Sequence, residues 1–204
     1  YTTAESRVMQ GVTTEVTGNC GSSAAPRPPE TAAPFGEEQV EEYGPDAVWT
    51  DLASYADVLE SAGISVNHAM LVGQGTLRTT VAGAENRPLA TNEMSQVLTA
   101  LEDGLDQGAF GMSTGLEYVA GRFTPTDEIL AMAQVVARRG ALYASHIRNE
   151  EATVLEALDE AIQVGRLSGV RVEISHLKTA GKPNWGKQVA ALDLIEGARA
   201  DGVD

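Results

Sequence analysis

The sequence is poor in cysteine and in basic residues, and each shortage excludes a class of protein. Cys20 is the single cysteine among 204 residues, so no intramolecular disulfide can form, and a reducing compartment, the cytoplasm, is the simplest expectation. Lys and Arg number 14 against 29 Asp and Glu, which gives a formal net charge of −15. Because so acidic a surface repels phosphate backbones, we do not expect a nucleic-acid partner.

Long apolar runs and a secretion signal are also missing. No stretch reaches the roughly 20 apolar residues that a membrane span requires, and the chain does not open with a basic segment followed by an apolar one. Hydrophobic residues nevertheless make up 43% of the chain, which is enough to bury a core. The first residue is Tyr1 rather than Met, and we expect an internal fragment of a larger domain. No oligomeric state is predicted.

Short apolar runs rich in Val, Ile and Ala alternate with amphipathic stretches, a pattern typical of βα units on a parallel sheet. The later units repeat about every 30 residues, and no G-x-G-x-x-G motif follows a strand. We therefore expect an α/β fold, a partial (β/α)8 TIM-like barrel in which residues 1–204 are the central part of one catalytic domain truncated at both ends. An open α/β sheet is the alternative. The predicted strands are Val12–Asn19, Val66–Val72, Ala109–Ser113, Ala141–His146 and Arg171–His176.

Capping residues and apolar stripes indicate the helices. Thr91 precedes a stripe that begins at Met94, and Thr124 with Pro125 is expected to open the next helix as N-cap and first helical residue. Residues 22–45, rich in proline and glutamate, are expected to form a loop within the domain. Apolar residues at helical spacing predict two further helices. One carries Leu155, Leu158 and Ile162, and the other carries Val189, Leu192 and Ile195.

Metal-ligand side chains stand at the ends of three predicted strands. His146 and His176 each end a strand, and Cys20 follows another. Because the carboxyl ends of barrel strands converge on one mouth, these residues are candidates for a three-ligand zinc site with an open coordination position. Each residue taken alone is also compatible with a structural role, as a small buried hydrophobe or a satisfied core histidine. We interpret His68, which lies inside a strand run, as structural.

A cation stands two residues after each of these histidines. Arg148 and Lys178 either balance nearby acids, such as Glu150 and Glu151, or point to the same face as the ligands.

The segment Gly111–Gly115 matches the G-x-S-x-G nucleophile elbow, which would make Ser113 a catalytic serine. An elbow turns directly into a helix, whereas here several residues intervene before the helix opened near Pro125. The pattern therefore disfavours serine-hydrolase chemistry.

Six ordered segments carry a family resemblance. They are Gly11–Thr14, Gly18–Gly21, Leu71–Arg78, Gly111–Tyr118, Ser145–Glu150 and Ser175–Lys178, the last followed by Asn184–Lys187. In these segments the chain resembles the D-aminoacylases, the N-acyl-D-amino-acid deacylase family of the amidohydrolase superfamily. The segments extend over almost the whole chain in order, which chance similarity would not reproduce.

The resemblance implies a metal-dependent barrel that hydrolyses the amide bond of N-acyl-D-amino acids, which are small-molecule substrates. It implies zinc held by Cys20, His146 and His176. It further implies that Tyr118 and Lys178 contact the carboxylate of the substrate.

Two parts of the family pattern have no counterpart here: a His-x-His pair on the first barrel strand and an Asp on the last strand that carries the catalytic proton. Residues 1–19 contain no His, and Asp193, Asp201 and Asp204 fall in or beside the last predicted helix. We therefore assign no catalytic acid–base residue within the chain, expect that Asp outside it, and expect the isolated segment to be inactive. The family's Gly-His-Gly-Thr segment has Gln74 in place of His.

Two alternative functions remain open. One is a related amidohydrolase that acts on dipeptides or cyclic amides, although a carboxylate-binding pair argues against cyclic ureides, which carry no free carboxylate at that position. The other is a non-catalytic barrel segment that acts as a binding module.

Overall fold

A five-stranded parallel sheet forms the centre of the molecule. The structure is a computed structural model that describes residues 3–27, 40–41, 44 and 48–204. Each strand pairs in parallel with the next one along the chain. This sequential order is that of a (β/α) barrel, whereas a doubly wound sheet reverses its order part-way, so the predicted fold class is confirmed. The strands are β1 Thr14–Thr17, β2 Asn67–Gly73, β3 Gly111–Gly115, β4 Leu142–His146 and β5 Arg171–Ile174.

Helices connect the strands and pack side by side. The helices from Gln74–Ala82 onwards contact one another in chain order, as expected for the outer layer of a barrel. Short 3-10 helices cover Gly121–Phe123 and Lys182–Lys187. The α-helices are α1 Glu5–Val8, α2 Leu52–Ala62, α3 Gln74–Ala82, α4 Thr91–Asp106, α5 Thr126–Arg138, α6 Val154–Ser168 and α7 Gln188–Ala200.

The main core lies between the sheet and these helices. Burial of each large apolar side chain in this core contributes about 1.5–3 kcal/mol to the free energy of unfolding, compared with leaving that side chain in water. The central residues of the main core are Val72, Met112 and Tyr143 from the strands and Leu101, Ile129, Met132 and Val136 from the helices.

Two helix predictions need correction. Pro125, not Thr124, is the N-cap of α5, because Pro125 has extended backbone angles and Thr126 is the first helical residue. In α7 only part of the predicted stripe is buried: Val189 is 68% exposed and Leu192 is 46% exposed, whereas Ile195 is partly buried against α6.

The buried face of α7 is built from small residues. Ala191 and Ala198, seven residues apart, pack with partly buried Ile195 against α6. Hydrophobicity alone therefore favoured Val189 and Leu192 over the small residues that face α6.

Most of the predicted loop at 22–45 lies outside the described residues, which omit 28–39, 42–43 and 45–47. The described part before this gap ends at Arg27. Within it, Ala25 is buried with Trp49 and Leu52 in a small separate cluster. Among the residues that the structure describes, no helix has both the length and the apolar character needed to cross a bilayer.

Candidate metal centre

The carboxyl ends of the strands bring together the three predicted ligand residues. His146 is the last residue of β4, while His176 and Cys20 lie shortly beyond β5 and β1. Sγ of Cys20 lies 3.5 Å from Nε2 of His176, and the rings of His146 and His176 meet edge to face with centroids 4.5 Å apart. One donor atom from each residue lies within 4.8 Å of the other two.

This donor set fits a zinc ion. A tetrahedral zinc with sulfur at about 2.3 Å and nitrogen at about 2.0–2.1 Å separates the two ligand atoms by about 3.6 Å. The distance between Cys20 and His176 is close to that value. Nδ1 of His146 is buried and makes no hydrogen bond to any described residue. Burial, and then the charge of Glu150, raises the pKa of the Cys20 thiol, so a bound cation is what would hold it as a thiolate at neutral pH.

Cys20 and His176 share an unusual backbone conformation. Their φ angles are 54° and 41°, in the left-handed region that few non-glycine residues occupy. Such residues cost on the order of 1–3 kcal/mol and concentrate at functional sites. Two of the three predicted ligands therefore lie on strained turns that directly follow their strands.

The loop that carries Cys20 lies directly on the backbone of β2 and β3. A Cβ atom at Gly115 would stand 2.0 Å from the carbonyl oxygen of Cys20, and one at Gly73 would stand 2.5 Å from the carbonyl oxygen of Gly21. Any larger residue at either position would push the loop away. These glycines therefore set the depth at which Cys20 lies.

Ser113 fixes the same loop from within the sheet. Its hydroxyl donates to the carbonyl oxygen of Gly18 and accepts from the N–H of Gly21 at 3.0 Å. Ser113 is fully buried inside β3 rather than at a strand-to-helix elbow. The G-x-S-x-G match is therefore structural, as the sequence pattern indicated.

The segment that departs from the family pattern at Gln74 begins α3. Gln74 is buried, and its Nε2 donates to Oγ1 of Thr124 at 2.8 Å. Oγ1 of Thr76 accepts from the N–H of Ser23 at 3.0 Å. Gln74 thus ties α3 to the start of α5, and Thr76 holds the chain that follows Cys20.

Tyr118 and Lys178 lie beside the two histidines and remain open to solvent. The Tyr118 ring meets the edge of the His146 ring with centroids 4.6 Å apart, and its residue is 51% exposed. The Lys178 side chain is 49% exposed, and its Nζ contacts the carboxylate of Glu150. Both side chains are therefore accessible to a ligand that approaches the three predicted metal ligands.

Arg148 balances neither Glu150 nor Glu151. Its guanidinium binds both carboxylate oxygens of Glu160 at 2.8 and 2.9 Å and donates to the carbonyl oxygens of Arg122 and Thr124. It braces the chain after β3 against α6, so its role in the described structure is architectural.

Two carboxylates at the site were not predicted. Oε2 of Glu117 lies 3.2 Å from Nε2 of His146, and buried Glu150 lies between the two histidines. Together with His146 they form a second group of potential ligands. A sequence signal existed for Glu150, which follows His146 by four residues and can reach back to the strand end.

The sequentially ordered parallel strands form a partial (β/α)8 barrel, and this fold matches the amidohydrolase barrels of solved structures. No protein-family profile matches the sequence. The chain is 40% identical over 202 residues to N-acyl-D-glutamate deacylase from Alcaligenes xylosoxydans xylosoxydans, a match that covers 98% of this chain and 40% of the relative.

Solved structures give the same relationship. N-acyl-D-glutamate deacylase from Bordetella bronchiseptica, crystallised with zinc and a phosphonate mimic of the tetrahedral intermediate, superposes with a TM-score of 0.87 at 35% identity, covering 98% of this chain and 42% of that one. A D-aminoacylase described as defining a novel subset of amidohydrolases has a TM-score of 0.83 at 36% identity, covering 95% and 40%.

By sequence and by fold, the chain is thus related along its length to the D-aminoacylases and N-acyl-D-amino-acid deacylases. It spans about 40% of the length of the curated relatives it matches.

Proposed function

We propose that this chain supplies the central part of the catalytic barrel of a zinc-dependent hydrolase that cleaves N-acyl-D-amino acids into a carboxylate and a D-amino acid. The observation that carries the proposal is the meeting of Cys20, His146 and His176 at the carboxyl ends of three strands. The relationship to deacylases over almost the whole chain supports the choice of substrate class.

Cys20, His146 and His176 would hold the zinc ion. When bound there, zinc would supply Lewis acidity, which lowers the pKa of water strongly toward neutrality and polarises an amide carbonyl. The ammonium of Lys178 and the hydroxyl of Tyr118 bind the α-carboxylate of the substrate and thereby fix which face of the amide meets the centre. Selection of the D enantiomer follows from that orientation. The proton for the leaving amine is assigned to an Asp that we expect outside residues 1–204.

We also propose a cytoplasmic location and a small-molecule partner rather than a nucleic acid. The single free cysteine supports a reducing compartment. A net charge of −15 opposes binding to polyanions.

Zinc analysis of the purified complete protein tests the ligand assignment. Cys20→Ala and His176→Ala should each lose tightly bound zinc, measured by elemental analysis after gel filtration, because each removes one of three ligands. His68→Gln is the matched control, because His68 lies on β2 with its Nε2 3.9 Å from Oε2 of Glu15. This variant should retain zinc. Equal zinc in the wild type and both ligand variants would refute the assignment.

Enzyme assays test the substrate class. Release of a D-amino acid from N-acetyl-D-amino acids, with little release from the L enantiomers, supports the proposal. Hydrolysis confined to dipeptides or cyclic amides would instead identify a related amidohydrolase. A protein with no zinc and no hydrolysis would be a binding module.

A further inference from the structure

Glu150 is a buried carboxylate that the mechanism above does not use. Its side chain is 8% exposed, and it lies in the loop between β4 and α6. The carbonyl oxygen of Glu150 accepts from the N–H of Ala180 at 2.7 Å. Oδ1 of Asn149 accepts from the N–H groups of Glu151 and Thr153 at 3.0 and 2.9 Å. The backbone at Glu150 is therefore held firmly in place.

The two oxygens of Glu150 face different residues of the centre. Oε1 lies 2.9 Å from Nδ1 of His176, within ion-pair distance but without the alignment of a hydrogen bond. Oε2 contacts Nζ of Lys178 and lies 3.8 Å from Nε2 of His146. One side chain therefore joins a predicted metal ligand to a predicted substrate-binding residue.

The contact with His176 selects one form of its ring. A carboxylate oxygen and an unprotonated ring nitrogen would repel each other at 2.9 Å, so the ring proton belongs on Nδ1. The lone pair of Nε2 is then free on the side that faces Sγ of Cys20, where a metal ion would take it.

The contact with Lys178 neutralises an ammonium next to the centre. Without the carboxylate, a free positive charge would lie beside the residues that are to bind a cation, and it would oppose that binding. The same contact restrains a long, rotamer-rich side chain that is half exposed.

We propose that Glu150 is a positioning residue: its single carboxylate sets the tautomer of His176 and anchors Lys178, so that metal binding and substrate-carboxylate binding share one support. The part that concerns Lys178 rests on the function proposed above. The part that concerns His176 requires only that the site binds a metal.

Glu150→Gln tests the proposal in the complete protein, because it removes the charge and keeps the shape. Zinc affinity, measured by competition with a chelator, should fall about 10- to 100-fold. KM for an N-acetyl-D-amino acid should rise by about 10-fold, with a smaller change in kcat. Lys178→Met should have less effect in the Glu150→Gln background than alone, because the two residues act together.

Two further variants separate positioning from folding. Glu151→Gln is the matched control, since Glu151 is the exposed neighbour, and it should leave zinc affinity and KM unchanged. Glu150→Asp keeps the negative charge on a shorter side chain. Its zinc affinity and its KM should therefore lie between those of the wild type and those of Glu150→Gln. Wild-type zinc affinity and KM in folded Glu150→Gln would overturn the proposal.

The histidine tautomer provides a readout that requires no variant. In metal-free protein labelled with ¹⁵N only at histidine, the neutral His176 ring should carry its proton on Nδ1, and a proton on Nε2 would overturn the proposal. If Glu150→Gln weakens zinc binding while the wild type releases no D-amino acid, the proposed function fails and the role of Glu150 toward His176 stands.

Discussion

Lys178 shows how one side chain can be paired and still remain available to a ligand. Its ammonium contacts the buried carboxylate of Glu150, yet the side chain is 49% exposed. An ammonium carries three N–H donors, and the contact with Glu150 does not use them all. The remaining donors can bind a second carboxylate, which is the role that we propose for Lys178 toward the substrate.

Replacement of Lys178 by Met should lower kcat/KM for an N-acetyl-D-amino acid by roughly 10- to 150-fold, because a charge-assisted contact worth about 1.5 to 3 kcal/mol is lost. Zinc content should not change, since the ligands and Glu150 remain. Lys182→Met, an exposed lysine in the same loop, is the control and should behave as the wild type. An unchanged kcat/KM in the Lys178 variant would show that another residue binds the carboxylate.

At the scale of secondary-structure elements, the start of α2 is held by two side chains. Oδ1 of Asp51 accepts from the N–H of Ser54 at 2.9 Å as the N-cap. Oε1 of Gln107, at the end of α4, accepts from the N–H groups of Leu52 and Ala53 at 3.0 and 3.1 Å. Three free donors of the first turn are thereby satisfied, and two of these bonds join α2 to α4.

The N-cap gives α2 a pH-dependent stability. The side-chain hydrogen bond with Ser54, and then the backbone bond to Ser54, lowers the pKa of Asp51. A carboxyl whose pKa is lowered in the folded state stabilises that state above its unfolded pKa, and this contribution is lost as the pH falls through the folded pKa.

Asp51→Ala should therefore destabilise the protein by about 1 kcal/mol at neutral pH, and its difference from the wild type should shrink below about pH 4. Urea unfolding midpoints at several pH values measure this. Asp51→Asn, which keeps the accepting oxygen without the charge, should lie near the wild type and respond less to pH. If the stability difference between Asp51→Ala and the wild type stayed constant down to acidic pH, the Asp51 carboxylate would not be the pH-dependent N-cap.

At the scale of the whole molecule, the described sheet is open. β1 pairs with β2 and β5 pairs with β4, and neither pairs with another strand among the described residues. Open parallel edges attract further strands, and parallel sheets are normally covered on both faces. The described residues also include large apolar side chains that are exposed to solvent, among them Val16, Phe110, Trp185 and Val189.

Residues 1–204 expressed alone should therefore bind a hydrophobic dye and aggregate, and should release no D-amino acid from an N-acetyl substrate, with or without added zinc. The general acid–base group that we expect outside the chain typically contributes about 10² to 10⁴-fold in rate. The dye signal, light scattering and a D-amino-acid assay measure these outcomes. Turnover close to that of the complete protein would show that no essential residue lies elsewhere.

The sequence by itself determined the order of the five strands, the four later helices α4 to α7 and the strand ends that carry Cys20, His146 and His176. It did not indicate α1, α2 or α3. Apolar periodicity and capping residues are local signals, and parallel strands in sequential order place their carboxyl ends on one edge. Local signals failed in α7, where Ala191 and Ala198 pack against α6 while the more hydrophobic Val189 and Leu192 are exposed.

Tertiary structure alone decided how the site is supported. Ser113 bonds to Gly21, which lies 92 positions earlier in the chain. In sequence Ser113 fits a serine-hydrolase motif, and only its hydrogen-bond partners show that it holds a loop. Glu150 pairs with Lys178 across two loops, although Arg148 is nearer in sequence. The physical reason is that a buried polar group must find a partner of suitable charge and direction in space, and sequence distance does not specify which one is within reach.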